Sequence, residues 1–274
     1  MSRIRRLAVA LVLLPGMVAC RESRQAKAPP EGAVRKEPGV RIEYIAHASF
    51  LIRSPGGTEI LIDPYASRVW LGYDFPEGIH PDAVLITHPH YDHDAGRFRG
   101  KPFPWGDDVA VVDGPGQFRI GDFTVVGVKG KHADPYGKEF GQRNTVMVLE
   151  TAGVRIAHLG DNGPPTPELA RAIGTVDVLM MPADALHHIL SEDATRAWID
   201  ALQPRIVIPM HYRLPDLEQD PEAPKGLGDL EPWLQGRANV RRLDGNATVI
   251  RASELPAERT ILVFRHSPLV TRPR

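Results

Sequence analysis

A succession of short apolar runs separated by turns extends from Val40 almost to the end of the chain, and it limits the folds that the chain can adopt. Short runs rich in Val, Ile and Leu between turn residues are typical of β-strands. The predicted strands are VRIEYIA (40–46), SFLIRS (49–54), EILID (59–63), DAVLIT (82–87), VAVV (109–112), FTVVGV (123–128), TVMVLE (145–150), VRIAHL (154–159), VDVLMM (176–181), RIVIPM (205–210), ATVIRA (247–252) and TILVFR (260–265). The sequences PGG at 55–57 and TAG at 151–153 predict tight turns.

Helices are fewer and come later in the chain. Residues 166–173 and 191–202 are predicted to be helical, because Thr166 and Ser191 can cap a first turn. Apolar residues then follow at helical spacing. A short helix is also predicted near residues 227–237. The chain thus begins with strands and continues with alternating helices and strands. This order predicts an α/β domain over residues 40–270, in which sheets pack together and helices lie outside them.

The composition disfavours nucleic acid as a partner. The chain has 274 residues, of which 42% are hydrophobic and 24% charged, as expected for a globular protein. Its 33 Lys and Arg residues nearly balance 34 Asp and Glu residues, which leaves a formal charge of −1. A nucleic-acid binder needs a clustered basic surface, so no nucleic-acid partner is predicted.

The N-terminal segment has the pattern of an export signal. A basic start, MSRIRR, precedes the 13-residue apolar stretch LAVALVLLPGMVA, which is too short to span a bilayer comfortably. The following Cys20 is the only cysteine of the chain, and MVAC resembles a bacterial lipobox. Residues 1–19 are therefore predicted to be a lipoprotein signal peptide and residues 20–39 a polar tether.

Lipidation at Cys20 implies a membrane anchor. The expected location is that of an exported bacterial lipoprotein, on the periplasmic face of the outer or inner membrane, and Arg21 favours the outer one. The alternatives are an ordinary signal peptide cleaved near Ala19, or a free Cys20 in an uncleaved segment.

The stretch THPHYDHDAG places three histidines and two aspartates within residues 88–94. His88 and His90 are two positions apart at the end of a predicted buried strand, so both can point to the same side. Asp92 and His93 follow a turn, near the start of a predicted helix, and can face a second point nearby. Zn²⁺ accepts imidazole and carboxylate ligands. The spacing predicts half of a metal site, the alternative being a solvated polar loop.

Three further residues of ligand type each follow an apolar strand. These are His132 in KGKHADP, Asp161 in AHLGDNG and His211 in IVIPMHY. Ligand sites in layered α/β folds gather at strand ends, so these residues are expected to complete the site. The alternatives are a surface histidine at 132, a turn aspartate at 161 and a core histidine at 211.

Taken in order, these motifs resemble the metallo-β-lactamase superfamily, most closely its branch containing ascorbate-6-phosphate lactonase. The matching segments are IAHASFLI, LIDPY, THPHYDHDAG, KGKHADP, IAHLGDNG and IVIPMHY, within residues 42–212. The resemblance implies a single-domain, four-layered αββα sandwich of the α/β class. It also implies two metal ions, the first held by His88, His90 and His132, the second by Asp92, His93 and His211, with Asp161 bridging them.

Other residues are expected to support this centre. The resemblance assigns Asp63 of LIDPY to a carboxylate that steadies a ligand histidine. His158 precedes Asp161 by three positions and is interpreted as structural or as an outer support of the metal ligands. His47, Asp184 and His188 are candidates for the substrate pocket. Relatives often have a Gly-containing loop where this chain has ADALHHIL. Because of this difference, the shape of the substrate is not inferred from the resemblance.

The predicted activity is metal-dependent hydrolysis of an ester, lactone or phosphodiester. Two Zn²⁺ ions, with Mn²⁺ also compatible, would lower the pKa of a bound water from about 15.7 toward ~7. The resulting hydroxide would attack the substrate while Asp92 orients it, so Asp92 is the predicted catalytic residue. The expected partner is a small molecule, and no oligomeric state is indicated.

Several alternatives remain at this stage. A lipid-anchored metal-binding module without turnover would have the same ligands. A β-lactamase is less consistent, because Asp161 stands where some of those enzymes use cysteine. An iron redox enzyme would be expected to carry an acidic residue in place of His90. A thioesterase of the glyoxalase II type would need a helical C-terminal domain.

Overall fold

Twelve of the fourteen β-strands among the described residues occupy predicted regions, and the strands assemble into two sheets. A computed structural model of the protein describes residues 38–96, 109–214, 216–217 and 227–271. The strands are β1 (Val40–Ala46), β2 (Ser49–Arg53), β3 (Glu59–Ile62), β4 (Ala83–Leu85), β5 (Ala110–Val112), β6 (Gly116–Ile120), β7 (Phe123–Lys131), β8 (Arg143–Thr151), β9 (Val154–His158), β10 (Val178–Pro182), β11 (Ile206–Met210), β12 (Val240–Arg242), β13 (Ala247–Ile250) and β14 (Thr260–Val263).

The smaller sheet has six strands in the order β13-β1-β2-β3-β4-β5. β1, β2 and β3 pair antiparallel, and β3, β4 and β5 pair parallel. The predicted PGG turn joins β2 to β3, where Gly57 N donates to Ser54 O at 3.1 Å. β1 and β3 therefore run in the same direction and end at the same edge.

The larger sheet has eight strands in the order β12-β14-β11-β10-β9-β8-β7-β6. β6 to β9 pair antiparallel, whereas β9, β10, β11, β14 and β12 pair parallel. The predicted TAG turn joins β8 to β9, with φ of 49° at Ala152 and 70° at Gly153. Positive φ at two central residues matches the twist of a two-residue hairpin. β7, β9, β10 and β11 consequently end at one edge.

Three α-helices are present among the described residues: α1 (Pro167–Ile173), α2 (Glu192–Leu202) and α3 (Leu230–Leu234). The predicted caps form, since Leu169 N donates to Thr166 Oγ1 and Ala194 N to Ser191 Oγ, each at 3.2 Å. α1 connects β9 to β10, and α2 connects β10 to β11, as parallel neighbours require. None of the described helices is long and apolar enough to cross a membrane.

The core lies between the two sheets and under the helices. Ile42 and Phe50 of the smaller sheet and Met147 and Ile156 of the larger one are fully buried within one hydrophobic cluster. Trp198 of α2 is fully buried as well, so this helix packs its apolar side on the core. Two packed sheets with few helices confirm the predicted α/β fold and its single domain.

Some elements differ from expectation or fall outside the description. β6 and β12 were not predicted, because most of their side chains are exposed and the runs lack an apolar pattern. Residues 91–96 form turns, and the predicted helix beyond them would fall in residues 97–108, outside the described residues. The predicted signal peptide (1–19), Cys20 and the tether up to residue 37 also lie outside them.

Candidate metal centre

The polar residues identified in the sequence follow strand ends at one edge of the two sheets. Seven strands are each followed, within three residues, by one of these side chains. In chain order, His47 follows β1, Asp63 follows β3, His88 follows β4, His132 follows β7, Asp161 follows β9, Asp184 follows β10 and His211 follows β11. Main-chain hydrogen bonds join the loops: His211 N donates to His47 O and Ala133 N donates to Asp161 O, both at 2.9 Å. The topology thus brings distant parts of the chain to one place.

The backbone is strained at this edge. His47, Asp63 and His211 have φ of 56°, 44° and 60°, in the left-handed region that residues with a side chain rarely adopt. Gly160, with φ of 55°, allows a close approach, since a Cβ there would lie 2.5 Å from Thr87 Oγ1. Such conformations cost free energy and concentrate at functional sites.

The candidate ligands form two groups. Within each group, the ligand atoms all lie within 4.8 Å of one another. One group consists of His88, His90, His132 and Asp161, and the other of His47, Asp92, His93 and His211. All of them are buried except His90, which is partly exposed. The structure thus brings together all seven residues that the sequence proposed as ligands, and it adds His47.

Asp161 lies between the two groups. Its Oδ2 is 3.5 Å from His132 Nε2 and 3.8 Å from His88 Nε2 on the first side. On the second side Oδ1 is 3.3 Å from His93 Nε2, and Oδ2 is 3.3 Å from His211 Nε2. This carboxylate therefore lies within reach of ligand atoms in both groups.

Asp92 lies in the second group, beside His47. His47 Nε2 is 3.1 Å from Asp92 Oδ2, and the Nε2 atoms of His93 and His211 are each 3.7 Å from the same oxygen. Burial and the neighbouring His211 lower the pKa of His47 to about 3. The neutral imidazole can therefore donate Nε2–H to Asp92. His47 is fully buried, so it contacts the ligands instead of lining an open pocket.

Asp63 connects the two groups from behind. Its Oδ2 is 2.7 Å from His93 Nδ1, and it also accepts the hydroxyl hydrogen of Thr87 at 2.7 Å. The oxygen of that hydroxyl is 3.0 Å from His88 Nδ1 and is free to accept its N–H. Both histidines thereby turn Nε2 toward the centre, as a supporting carboxylate does in metal sites.

The other two histidines of the first group are oriented by different acceptors. His132 Nδ1 donates to the carbonyl of Ala133 at 2.9 Å, which leaves Nε2 as the ligand atom. His90 Nε2 is 2.8 Å from Glu139 Oε1, so Nδ1 is the atom directed at the group. His90 Nδ1 lies 3.1 Å from His88 Nε2, as two atoms facing one point would.

His158 has a structural position. Its Nε2 donates to the carbonyl of Ala48 at 2.9 Å, and its Nδ1 accepts the N–H of Gly160 at 3.1 Å. Both ring nitrogens therefore bond to the backbone, and the bond to Ala48 links β9 of the larger sheet to the β1–β2 turn of the smaller one. The ring stands 3.9 Å from Asp63 Oδ2, behind the ligands, in the supporting position that the sequence suggested.

The donor set fits metal ions. Among the described residues, His93 Nε2, His132 Nε2, His211 Nε2 and Asp161 Oδ1 are buried without a hydrogen-bond partner, although buried polar atoms normally have one. Burial favours the neutral form of Asp92 and Asp161, but the surrounding histidines outweigh it and hold the pKa of both carboxyls well below its usual range. Buried carboxylates and imidazole lone pairs directed at shared points suit divalent cations.

A cleft of about 400 Å³ opens above the two groups. Trp70, Tyr136 and His188 form part of its wall, and His90, Asp92, His132 and Asp161 lie at its base. His188 therefore has the pocket position expected of it. Asp184 is not among the described lining residues, since it is buried and its Oδ1 accepts the N–H of Leu186 at 2.7 Å. Its role in this loop is to shape the turn.

Sequence reasoning missed four residues of the site. Thr87 precedes His88 directly, and its hydroxyl could have been considered as a partner of the ligand. Glu139 is distant from the motif and reaches His90 only through the fold. Trp70 and Tyr136 lie in loops without a recognisable pattern, so only the structure reveals them as cleft residues.

Similarity to known proteins agrees with this geometry. The sequence model of a family described as the beta-lactamase superfamily domain matches residues 41–211. A UPF0173 metal-dependent hydrolase from Thermococcus onnurineus is 30% identical over 208 residues, covering 69% of this chain and 92% of the relative. Another, from Myxococcus xanthus, is 29% identical and covers 77% of this chain and 82% of its own length.

A solved structure shows the same fold. A metallo-β-lactamase superfamily protein from Thermotoga maritima superposes with a TM-score of 0.61 at 25% identity, covering 82% of this chain and 98% of that one. The family match spans the segments that carry the candidate ligands from His47 to His211. The relatives are named metal-dependent hydrolases, and this chain is one too. The chain belongs to the metallo-β-lactamase superfamily.

Proposed function

We propose that the protein is a dinuclear zinc hydrolase that cleaves an ester, lactone or phosphodiester bond. The observation that carries the proposal is the pair of four-residue groups joined by Asp161, whose oxygens approach histidines of both groups. One isolated group would suit a single structural ion. Two adjoining groups beneath an open cleft suit a reactive pair. The Thermotoga maritima relative is described as a candidate zinc-dependent hydrolase, which also supports zinc as the metal.

Each residue has a defined part in this proposal. His88, His90 and His132 would hold one ion, Asp92, His93 and His211 would hold the other, and Asp161 would be shared between them. When bound, two zinc ions supply a water molecule that ionises near neutral pH and stabilise negative charge on the substrate.

The protein's own groups do the remaining work. Asp92 orients the attacking water, and His47 fixes Asp92 by donating Nε2–H to its Oδ2 at 3.1 Å. Asp63 keeps His93 in the tautomer that presents Nε2. His188, partly buried in the cleft wall, stands where it can contact the leaving group. No Ser or Cys nucleophile is required.

Export and lipidation at Cys20 are a separate part of the proposal. Support comes from the basic start, the apolar stretch and the position of the single cysteine. The domain would then face the periplasm, tethered by residues 20–39 to the outer or inner membrane. Expression with radiolabelled palmitate tests it, because Cys20→Ser should abolish labelling and membrane association. Equal membrane association of the two forms would contradict the anchor.

Metal removal tests the catalytic part. Protein stripped with a chelator should lose hydrolysis of a panel of esters, lactones, phosphodiesters and a β-lactam, and should regain it with zinc or manganese. Elemental analysis should find about two ions per chain.

Turnover that resists the chelator would refute the mechanism. Two bound ions without turnover of any substrate would instead favour a metal-binding module, and hydrolysis of the β-lactam alone would identify a β-lactamase. The resemblance to the ascorbate-6-phosphate lactonase branch places lactones first in the panel.

A further inference from the structure

The wall of the cleft is made of rings contributed by separate loops. Tyr136 follows β7, and its ring stacks on His188, which follows β10, with ring centres 4.6 Å apart and planes at 20°. Trp70, from the loop after β3, lies 6.0 Å from His188 at 34°. Tyr91 adds a fourth ring, 6.4 Å from Trp70. Four loops thus supply planar side chains around one opening.

The backbone holds Trp70 in an unusual conformation. Its φ is 60°, in the left-handed region that a bulky residue rarely adopts. Arg68 supports the loop, because its side chain makes two hydrogen bonds to Asp74, at 2.7 and 2.8 Å, and its N–H donates to Tyr73 O. The conformation that presents this indole at the cleft is strained and costs free energy. Strained residues of this kind concentrate at ligand sites.

The described part of the cleft is also short of positive side chains. Its described lining residues include Asp92, Glu139 and Asp161 but neither Lys nor Arg. Two divalent cations would be largely offset by these carboxylates and an ionised water. A phosphate or carboxylate on the substrate, away from the bond that is cleaved, would have no cationic partner among the described lining residues and would lie near Glu139.

We propose that the cleft selects an uncharged ester or lactone with a planar aromatic group beside the bond that is cleaved. The ring would lie against the cleft-facing sides of Trp70 and Tyr136, while the ester group reaches Asp92 and Asp161 below. Aromatic rings prefer offset or edge contacts with centres about 4.5–7 Å apart. His188 makes such contacts with both Trp70 and Tyr136, which fixes the two rings as a wall that a substrate ring can meet from the open side of the cleft. The inference rests on the proposed hydrolase function and narrows it to substrates without a phosphate.

Matched γ-lactones test the proposal on the zinc-loaded full chain. γ-Phenyl, γ-methyl and γ-(4-carboxyphenyl) butyrolactones share the same reactive ring. The phenyl compound should have a kcat/KM roughly threefold to tenfold above the methyl one, the gain expected of one aromatic contact. The carboxylated compound should lose that gain. Trp70→Ala and Tyr136→Ala should lower the phenyl-to-methyl ratio, and Tyr136→Phe should retain it. Phe118→Ala, an exposed aromatic position on β6, serves as the unaffected control.

Binding of the corresponding lactams separates the two hypotheses, since lactams resist hydrolysis. Calorimetry should show tighter binding of the phenyl lactam than of the methyl lactam, and Tyr136→Ala should remove the difference. Ring-dependent binding without any turnover would uphold the cleft proposal and refute the hydrolase. Turnover with the same kcat/KM for the phenyl and methyl lactones, and the same affinity for the two lactams, would uphold the hydrolase and refute the cleft proposal. Preference for the carboxylated lactone, or faster hydrolysis of diphenyl phosphate, would overturn the uncharged substrate class.

Discussion

Replacement of Asp63 by Asn tests how the centre controls its ligands. The Asp63 carboxylate accepts from Thr87 N at 2.8 Å, from Thr87 Oγ1 at 2.7 Å and from His93 Nδ1 at 2.7 Å, and it is fully buried. An amide has one acceptor oxygen. If that oxygen keeps the Thr87 N–H, the amide NH₂ faces His93 Nδ1. His93 must then carry its proton on Nε2, the atom that faces Asp161 at 3.3 Å.

A protonated Nε2 cannot bind a metal ion, so metal binding has to overcome this tautomer. Loss of a supporting carboxylate typically lowers metal affinity about 10- to 100-fold, which corresponds to about 1.4–2.7 kcal/mol. We expect the loss in Asp63→Asn to fall mainly on the ion held by Asp92, His93 and His211. Thr87→Val is the matched variant, because it removes only the hydroxyl next to His88 Nδ1. It should weaken mainly the other ion.

Zinc titration against a chromophoric chelator measures both affinities, and circular dichroism verifies that each variant is folded. The double variant should lose less than the sum of the single losses, since Thr87 and Asp63 share one hydrogen bond. A folded Asp63→Asn protein that binds both ions as tightly as the unaltered protein would refute the reasoning. Equal weakening of both ions in both variants would refute separate control.

Substitutions at three further positions test other parts of the structure. Trp198→Ala should lower the free energy of unfolding by about 3–5 kcal/mol in urea titration, because it empties a buried site and removes the hydrogen bond from Nε1 to Gly163 O; an effect below that of an exposed substitution would contradict this packing. Ser191→Ala removes the cap bonded to Ala194 N and should cost about 1 kcal/mol in the same assay, whereas Ser191→Asp should retain stability. Glu139→Gln should change zinc affinity by less than about 1 kcal/mol, because the Glu139 side chain is 65% exposed; a larger loss would show that it is essential.

The sequence was informative where its local pattern carried the structural reason. His88, His90, Asp92 and His93 are close along the chain, so their spacing alone predicted shared coordination. Strands that are buried on both faces were recognised from continuous apolar runs, such as IVIPM of β11. His132, Asp161 and His211 could be proposed because each follows an apolar strand.

The remaining features depend on contacts that no local pattern encodes. His47 was expected in the substrate pocket, but the turn between β1 and β2 directs its ring to Asp92, inside the second group. β6 escaped prediction because it has an edge position and exposed side chains. Glu139 and Tyr136 enter the site through the loop after β7, whose path depends on tertiary packing.

Seven strands end at the metal centre on one edge, and three of the hairpin turns lie on the opposite edge. The turn at 54–58 and the turn at 121–122 contact each other there, with Gly56 N donating to Asp122 Oδ2 at 3.2 Å. The turn at Ala152 and Gly153 also belongs to this far edge. Reporter peptides, surface-attachment handles or new chain termini inserted at 152–153 should leave ligand geometry and solvent entry to the cleft intact. The molecule can therefore be immobilised by its inert end while the reactive end stays open.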